Sequence, residues 1–336
     1  PAPPPIVPSV VTGSIPCFGG LTTATITATG GIGPYTGTGV FSVSAGPHTF
    51  TVTDVNGYAV TVSFTVSQPS PLVASSSAGS ILCYGGSTTA TVSATGGTGA
   101  YTGTGVYSVT AGTHTYLVTD ANGCTSATGF TLTQPSLLVA SSSAGSILCN
   151  GGSTTATVSA TGGTGVYTGT GNYSVTAGTH TYLVTDANSC TSITGFTLTQ
   201  PSLLVASSSA GSILCNGGST TATVSATGGT GVYTGTGNYS VTAGTHTYLV
   251  TDANSCTSIT GFTLTQPSLL VASSSAGSIL CNGGSTTATV SVTGGTGVYS
   301  GTGVYTVSAG THTYLVTDAN GCTSVTGFTL TQPSLL

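Results

Sequence analysis

The sequence predicts an all-β protein, a tandem array of five small immunoglobulin-like antiparallel β-sandwich domains. Three observations lead there. Cys17, Cys83, Cys149, Cys215 and Cys281 are equally spaced, as are His48, His114, His180, His246 and His312, which sets a period of 66 residues. Within each period, short runs alternate apolar residues with Ser or Thr, and no run has helical spacing. Glycine, 52 of the 336 residues, breaks those runs where turns are needed. A unit of this length exceeds a solenoid repeat and matches the smallest independent domains, so beads on a rod are expected in preference to one superhelix.

The copies are expected at 1–72, 73–138, 139–204, 205–270 and 271–336; the first is atypical and opens on Pro3-Pro4-Pro5, while the third and fourth are identical. In residues 73–138, Ala90, Val92 and Ala94 face one way and Thr91, Ser93 and Thr95 the other, the alternation of a half-buried strand. Tyr107–Val109, His114–Val118 and Phe130–Leu132 follow the same pattern, in residue types that favour strands. Turns are expected at Gly96-Gly97, Ala111-Gly112 and Asp120-Ala121-Asn122-Gly123, the last a hairpin signal. Six or seven short strands per copy follow, packed around Val, Leu, Tyr and Phe. Pro ends an edge strand at each Gln-Pro-Ser joint (Gln68, Gln134, Gln200, Gln266), and these joints are too short to be flexible tethers. Strands of about eight residues make each unit roughly 30 Å long and the rod on the order of 150 Å.

Charge excludes several classes of function. The five charged residues are all Asp, and Lys, Arg, Glu, Met and Trp are absent. A net charge of −5 gives no attraction to nucleic acid or to an anionic membrane surface. An apolar content of 38% is too high for a disordered polar tract, and no apolar run is long enough for membrane insertion. Residues 1–10 have neither the basic region nor the apolar core of a signal peptide, so the window is expected to be mature or internal. Nine regularly spaced Cys point to disulfides and hence to secretion.

In copies two to five, a second Cys follows the first by 41 positions, which predicts the bridges Cys83–Cys124, Cys149–Cys190, Cys215–Cys256 and Cys281–Cys322. Each would stabilise its copy by roughly 4 kcal/mol through loop-closure entropy. In the first copy that position is Tyr58, leaving Cys17 either a buried free thiol or a handle for an intermolecular bond. The Pro-rich lead is stiff and extended, and could lie along a neighbouring subunit as a donated strand. Zinc spacing is missing, so no metal and no cofactor are expected.

Each copy has one His and one Asp. Six residues apart on one strand, His114 and Asp120 share a face but lie about 20 Å apart, which defeats a hydrolase triad. His114 is in phase with Tyr116 and Val118 and is expected to be structural. Asp120 with Asn122, and Asp186 with Asn188, are expected to build turns, and one Asp per copy cannot supply a calcium shell. Gly162–Gly165 and Gly169–Gly171 precede no helix and lack a Lys, so tight turns explain them better than phosphate binding. The Ser/Thr faces are either solvated or carry O-linked glycans, and Asn172-Tyr-Ser and Asn238-Tyr-Ser match an N-glycosylation sequon.

Thr161–Tyr167, Ala177–Cys190 and Thr197–Pro201 together resemble the SprB-type repeat of gliding-motility adhesins and giant surface proteins of Bacteroidota. The resemblance covers essentially the whole chain. His180 stands where that repeat usually has Tyr, and the Trp often found after its first Tyr is absent, so the likeness is to the repeat type and not to one adhesin. It implies a secreted, surface-attached filamentous protein exported by the type IX route.

The expected function is structural and non-enzymatic: a cell-surface or extracellular filament, or an adhesin stalk, whose partner is itself, head to tail or laterally. A repeated carbohydrate-binding module is the alternative, with surface glycans as partner and Tyr101, Tyr107, Tyr167 and Tyr233 as its aromatic candidates.

Overall fold

The computed structural model describes residues 2–335, which are all β, with no helix among them. In the first copy the strands are β1 (Val7–Thr12), β2 (Thr22–Thr29), β3 (Gly39–Val43), β4 (Gly46–Thr53) and β5 (Ala59–Val66). The second copy repeats them as β6 (Val73–Ala78), β7 (Thr88–Thr95), β8 (Gly105–Val109), β9 (Gly112–Thr119) and β10 (Thr125–Leu132). Each of these copies is a sandwich of immunoglobulin-like type reduced to three strands facing two: β1-β2-β3 with β4-β5, and β6-β7-β8 with β9-β10, all pairs antiparallel.

The chain divides into two compact units. One holds the segment ending at Ser142 together with Val158–Gly171 and Thr181–Thr194; the other holds Ser143–Thr157, Asn172–His180 and the segment from Gly195 onward. The first unit therefore contains copies one and two, the second contains copies four and five, and copy three contributes segments to each.

Five strands form where six or seven were expected. In copy two, the segment after Gly97 makes only an isolated bridge, Thr102 to Thr119, with N···O distances of 2.8 and 3.1 Å. Gly103, at φ +83°, turns the chain out of the extended conformation before a ladder can grow. Tyr101 fixes the segment by donating its hydroxyl to the Gly96 carbonyl at 2.6 Å. An odd strand count has a topological consequence: in copies one and two the chain enters at one end of the sandwich and leaves at the other.

The core is made of small and β-branched residues. Ile6, Ile15, Ala24, Ile26, Val43, Val52 and Val66 bury the first copy, and Ile81, Ala90, Val92, Val109 and Val118 take the corresponding places in the second. Tyr and Phe, expected in the core, instead form a half-buried flanking row. Tyr107 and Tyr116 lie 4.9 Å apart, Tyr116 packs on Phe130, and Phe130 packs on His114 at 5.6 Å. His114 also donates from Nε2 to the Thr110 carbonyl at 2.8 Å, a structural role.

Hydroxyl groups hold the sandwich at two further places. Across registered strand pairs, Ser75 bonds Ser93 at 2.8 Å and Thr113 bonds Thr131 at 3.0 Å, exposed pairs that each contribute a few tenths of a kcal/mol, up to about 1. At the open edge between the sheets, Ser126 Oγ accepts from the Ala74 N–H at 3.1 Å, and Ser76 bonds Thr128 at 2.9 Å. The first copy has Pro8, Val10, Val60 and Val62 at these four positions, and Val10 and Val62 pack against the core there.

The hairpin turn closing β9 onto β10 places Gly123 at φ +83°, and Gly321 takes φ +82° in the fifth copy. Ser189 and Ser255 occupy the same position at φ 66° and 67°, a left-handed conformation that a Cβ disfavours. Ser255→Gly should therefore raise stability by about 0.5–1 kcal/mol, read as a higher urea midpoint at unchanged slope. An unchanged or lower midpoint would show that the serine carries no strain.

Candidate functional site

Each copy presents two turns, which in copies one and two lie at opposite ends of the sandwich. The first follows the opening strand and carries the first Cys. In Cys17-Phe18-Gly19-Gly20, the Gly20 N–H donates to the Cys17 carbonyl at 3.0 Å, and the Gly19 N–H donates to Gln68 Oε1 at 2.7 Å. The loop is thus tied to the Gln-Pro-Ser joint of its own copy. Gly85 with Gln134, Gly151 with Gln200, Gly217 with Gln266 and Gly283 with Gln332 repeat the tie at 2.7–2.9 Å. The joint is gripped from the other side as well, since the Ser70 carbonyl accepts from the Gly97 N–H of copy two at 2.9 Å. The Pro-rich lead is held in the same way by its own copy, with Pro4 accepting from Gly31 at 2.7 Å.

The second turn is built around Asp. Asp120 Oδ1 accepts from the N–H groups of Asn122 and Cys124 at 3.0 and 2.9 Å, and Oδ2 accepts from Thr98 N–H at 2.9 Å. The side chain is only 5% exposed. Burial pushes such a carboxyl up, but backbone donors led by Thr98, Cys124 and Asn122 outweigh it and hold Asp120 below its ordinary 3.8. Burial is likewise outweighed by backbone donors at Asp186, Asp252 and Asp318. Gly97, at φ +60°, makes room for the carboxylate, because a Cβ there would lie 2.5 Å from Asp120 Oδ2.

These two kinds of turn meet between copies. Asn122 Nδ2 donates to Thr98 Oγ1 of its own copy and to the Pro16 carbonyl of copy one, both at 3.0 Å. Beside it, Cys124 is bonded to Cys17, with Cα atoms 5.6 Å apart. The bridged sulfur of Cys124 lies 3.3 Å from the same Pro16 oxygen, a contact without a proton to share. Three more joints repeat the arrangement: Cys83–Cys190 with Asn188 on the Leu82 carbonyl, Cys149–Cys256 with Asn254 on Leu148, and Cys215–Cys322 with Asn320 on Leu214. Two of the four joints lie in each unit.

The disulfide pairing expected from sequence is overturned. None of Cys83–Cys124, Cys149–Cys190, Cys215–Cys256 and Cys281–Cys322 forms, and every bridge spans 107 residues instead of 41. Between Cys83 and Cys124 the chain runs through β7, β8 and β9, and three traversals leave the two Cys at opposite ends of the sandwich. An eight-residue strand such as β7 separates those ends by about 27 Å, whereas a disulfide needs Cα atoms within about 7 Å. Cys17, expected to be unpaired or intermolecular, is bridged, and the free, exposed thiol is Cys281.

Asp120, Asn122, Asp186 and Asn188 do sit in the expected turns, with the Asn main-chain N–H bonded to Asp. The reach of the Asn side chains into the preceding copy was not read from the sequence. Two of the aromatic candidates for glycan stacking, Tyr167 and Tyr233, commit their hydroxyls to the carbonyls of Gly162 and Gly228 at 2.6 Å. Asn172 and Asn238 accept from Thr157 and Thr223 hydroxyls at 3.0 and 2.9 Å. Among the described residues, no three His, Cys, Asp or Glu side chains converge on a point, and no helix is long and apolar enough to cross a membrane.

No family model and no curated protein matches this chain. Among solved structures it is similar to the N-terminal eight Ig domains of Down Syndrome Cell Adhesion Molecule, isoform 1.30.30, at 12% identity and a TM-score of 0.24. The match covers 97% of this chain and 64% of that one, and at this TM-score it carries no inference from that protein to this chain.

Proposed function

We propose that the chain is part of an extracellular structural element, a surface filament or adhesin stalk, in which tension passes from copy to copy through covalent bridges. The observation that carries this reading is the connectivity: each disulfide joins one copy to the next instead of closing a copy on itself. A cystine inside a domain protects that domain, while a cystine between domains fixes their succession. Four such bonds belong in an oxidising compartment, which supports a secreted or cell-surface location. The resemblance to SprB-type repeats supports the same placement on a bacterial surface.

The remaining chemistry suits a durable material. Hydrogen bonds between side chains take the place of ion pairs, and the absence of Lys and Arg removes every trypsin site. Low charge also weakens repulsion between laterally packed copies, so self-association is part of the proposal.

Immunogold electron microscopy of the source cells, with antibody raised against this chain, tests the reading. Label along extracellular fibres or at the outer surface is expected. Label confined to the cell interior would overturn it.

A further inference from the structure

We propose that the loop around Cys281 is an open docking face for the Cys-bearing turn of a further repeat, so that the array is polar, with a covalently extendable face at Cys281 and a sulfur-free face at Tyr58. The inference rests on the copy-to-copy bridging that carries the reading above.

The same face is occupied four times within this chain. At Cys17, Cys83, Cys149 and Cys215 the sulfur is bonded to a turn Cys, and the preceding carbonyl accepts an Asn side chain. Around Cys281 the loop has the same shape without the occupant. Gly284 N–H donates to the Cys281 carbonyl at 3.0 Å, Gly283 N–H to Gln332 at 2.9 Å, and Asn282 Nδ2 to the Pro333 carbonyl at 3.0 Å. Asn150 and Asn216 make that last bond, also at 3.0 Å, in loops that are occupied. The face is therefore preorganised, and little conformational entropy is lost on docking.

Exposure marks what is missing. Leu82, Leu148 and Leu214, beside their bridged Cys, are 58%, 57% and 57% exposed, whereas Leu280 is 85% exposed and its neighbour Cys281 carries the free thiol. The chain's own turn Cys are all consumed, since Cys124, Cys190, Cys256 and Cys322 are bridged. At the other end, Asp54 builds the same turn, accepting from Asn56 and Tyr58 N–H at 2.9 and 3.0 Å, but Tyr58 stands where the sulfur is needed. A second copy of this chain can present the turn but cannot close the bond. The occupant is thus a further repeat with an Asp-Ala-Asn-Gly-Cys or Asp-Ala-Asn-Ser-Cys turn.

Bond formation removes two protons and two electrons from two thiols, and a small disulfide such as oxidised glutathione accepts them. The turn thiolate first displaces one glutathione thiolate to form a mixed disulfide. Cys281 thiolate then attacks the protein sulfur of that disulfide and expels the second glutathione thiolate.

The test mixes the wild-type chain, which offers Cys281, with a Tyr58→Cys, Cys281→Ser variant, which offers a Cys-bearing first turn, in a glutathione redox buffer. The expected product is a covalent heterodimer bridged between position 58 and Cys281, formed at least about tenfold faster than the Cys281–Cys281 homodimer of wild type because docking raises the effective concentration. Adding Asn56→Ala to the variant should slow it. Heterodimer formation no faster than homodimer formation would overturn the proposal. Should Tyr58→Cys fail to fold, wild-type Cys281 is challenged with an Asp-Ala-Asn-Gly-Cys peptide carrying an activated disulfide, against a scrambled peptide of equal composition; equal rates would overturn it. Non-reducing peptide mapping of wild type separates the two failures. Missing 107-residue bridges sink the bridging reading itself, while intact bridges with no selective capture at Cys281 sink only this inference.

Discussion

Pulled from its two ends by single-molecule force spectroscopy, the oxidised chain should stop extending at about 340 Å, and the fully reduced chain at about 1,100 Å, at about 3.4 Å per residue. The limit is set by the shortest covalent path. That path runs from residue 1 to Cys17, crosses to Cys124, follows the backbone to Cys149, crosses to Cys256, returns to Cys215, crosses to Cys322 and leaves by the C-terminal segment. It uses backbone stretches of 16, 25, 41 and 14 steps, about 96 of the 335 in the chain. Bridges within copies would leave about 171 steps and a limit near 600 Å, so the plateau distinguishes the two connectivities. The overlapping loops also confer redundancy. A second route, from Cys124 back to Cys83, across to Cys190 and on to Cys215, has the same length. Cys190→Ser alone should therefore leave the limit unchanged, whereas Cys124→Ser, which removes the shared first bridge, should add about 25 residues, or roughly 85 Å. An increase in length after Cys190→Ser would disprove the overlapping ladder.

Much of the fold was legible in residue alternation. Ala90 and Val92 facing inward against Thr91 and Ser93 gave β7 its place and its buried face, and Asp-Ala-Asn-Gly marked the β9–β10 hairpin. What periodicity could not supply was the count of strands. Tyr101 and Thr102 are residue types that favour strands, but the flanking glycines Gly99 and Gly103 and the Tyr101 hydroxyl bond reduce the segment to one bridge. Side-chain volume misled in the core for a similar reason. Between sheets joined by short turns, Ala and Val fill the interior, and Tyr107 and Tyr116 are displaced to the flank, where their hydroxyl ends reach solvent or a carbonyl.

The cysteine pairing was legible in principle, though not from spacing. Separations of 41 and 107 differ by one period, so a perfectly repeated array satisfies both, and only its ends differ. Pairing within copies strands Cys17, whereas pairing with the next copy strands Cys281. The deciding signal is parity. Three strand-like runs separate Cys83 from Cys124, and an odd number of traversals puts the second Cys at the far end of the sandwich, beside the preceding copy and away from the first Cys of its own copy. The same parity makes a five-stranded unit extendable, because entry and exit lie at opposite ends.

Acidification should act on these joints before it acts on the cores. Asp120, Asp186, Asp252 and Asp318, which build the turns at the four joints, have carboxyls held below 3.8 by backbone donors in the folded chain, so the folded state binds their protons less readily than the unfolded chain does. The stabilisation is complete above the unfolded value and is lost as pH falls through the lower folded value. The thermal midpoint should therefore be flat between pH 8 and pH 5 and decline below about pH 4. Protonation removes the acceptor that orders Asn122 and Cys124 together, and those residues dock the preceding copy. Hydrogen exchange should localise the effect: at pH 3 the amides of Thr98, Asn122 and Cys124 should lose protection by at least about tenfold relative to β7, after correction for intrinsic rates. Asp120→Asn should produce the same local loss at neutral pH, because an amide group accepts through one oxygen where the carboxylate uses two. The bridges stay closed throughout, so the copies loosen without separating, and the oxidised chain should regain its midpoint on return to pH 7. A decline that begins between pH 7 and pH 5 would place the responsible group elsewhere and remove Asp from this role.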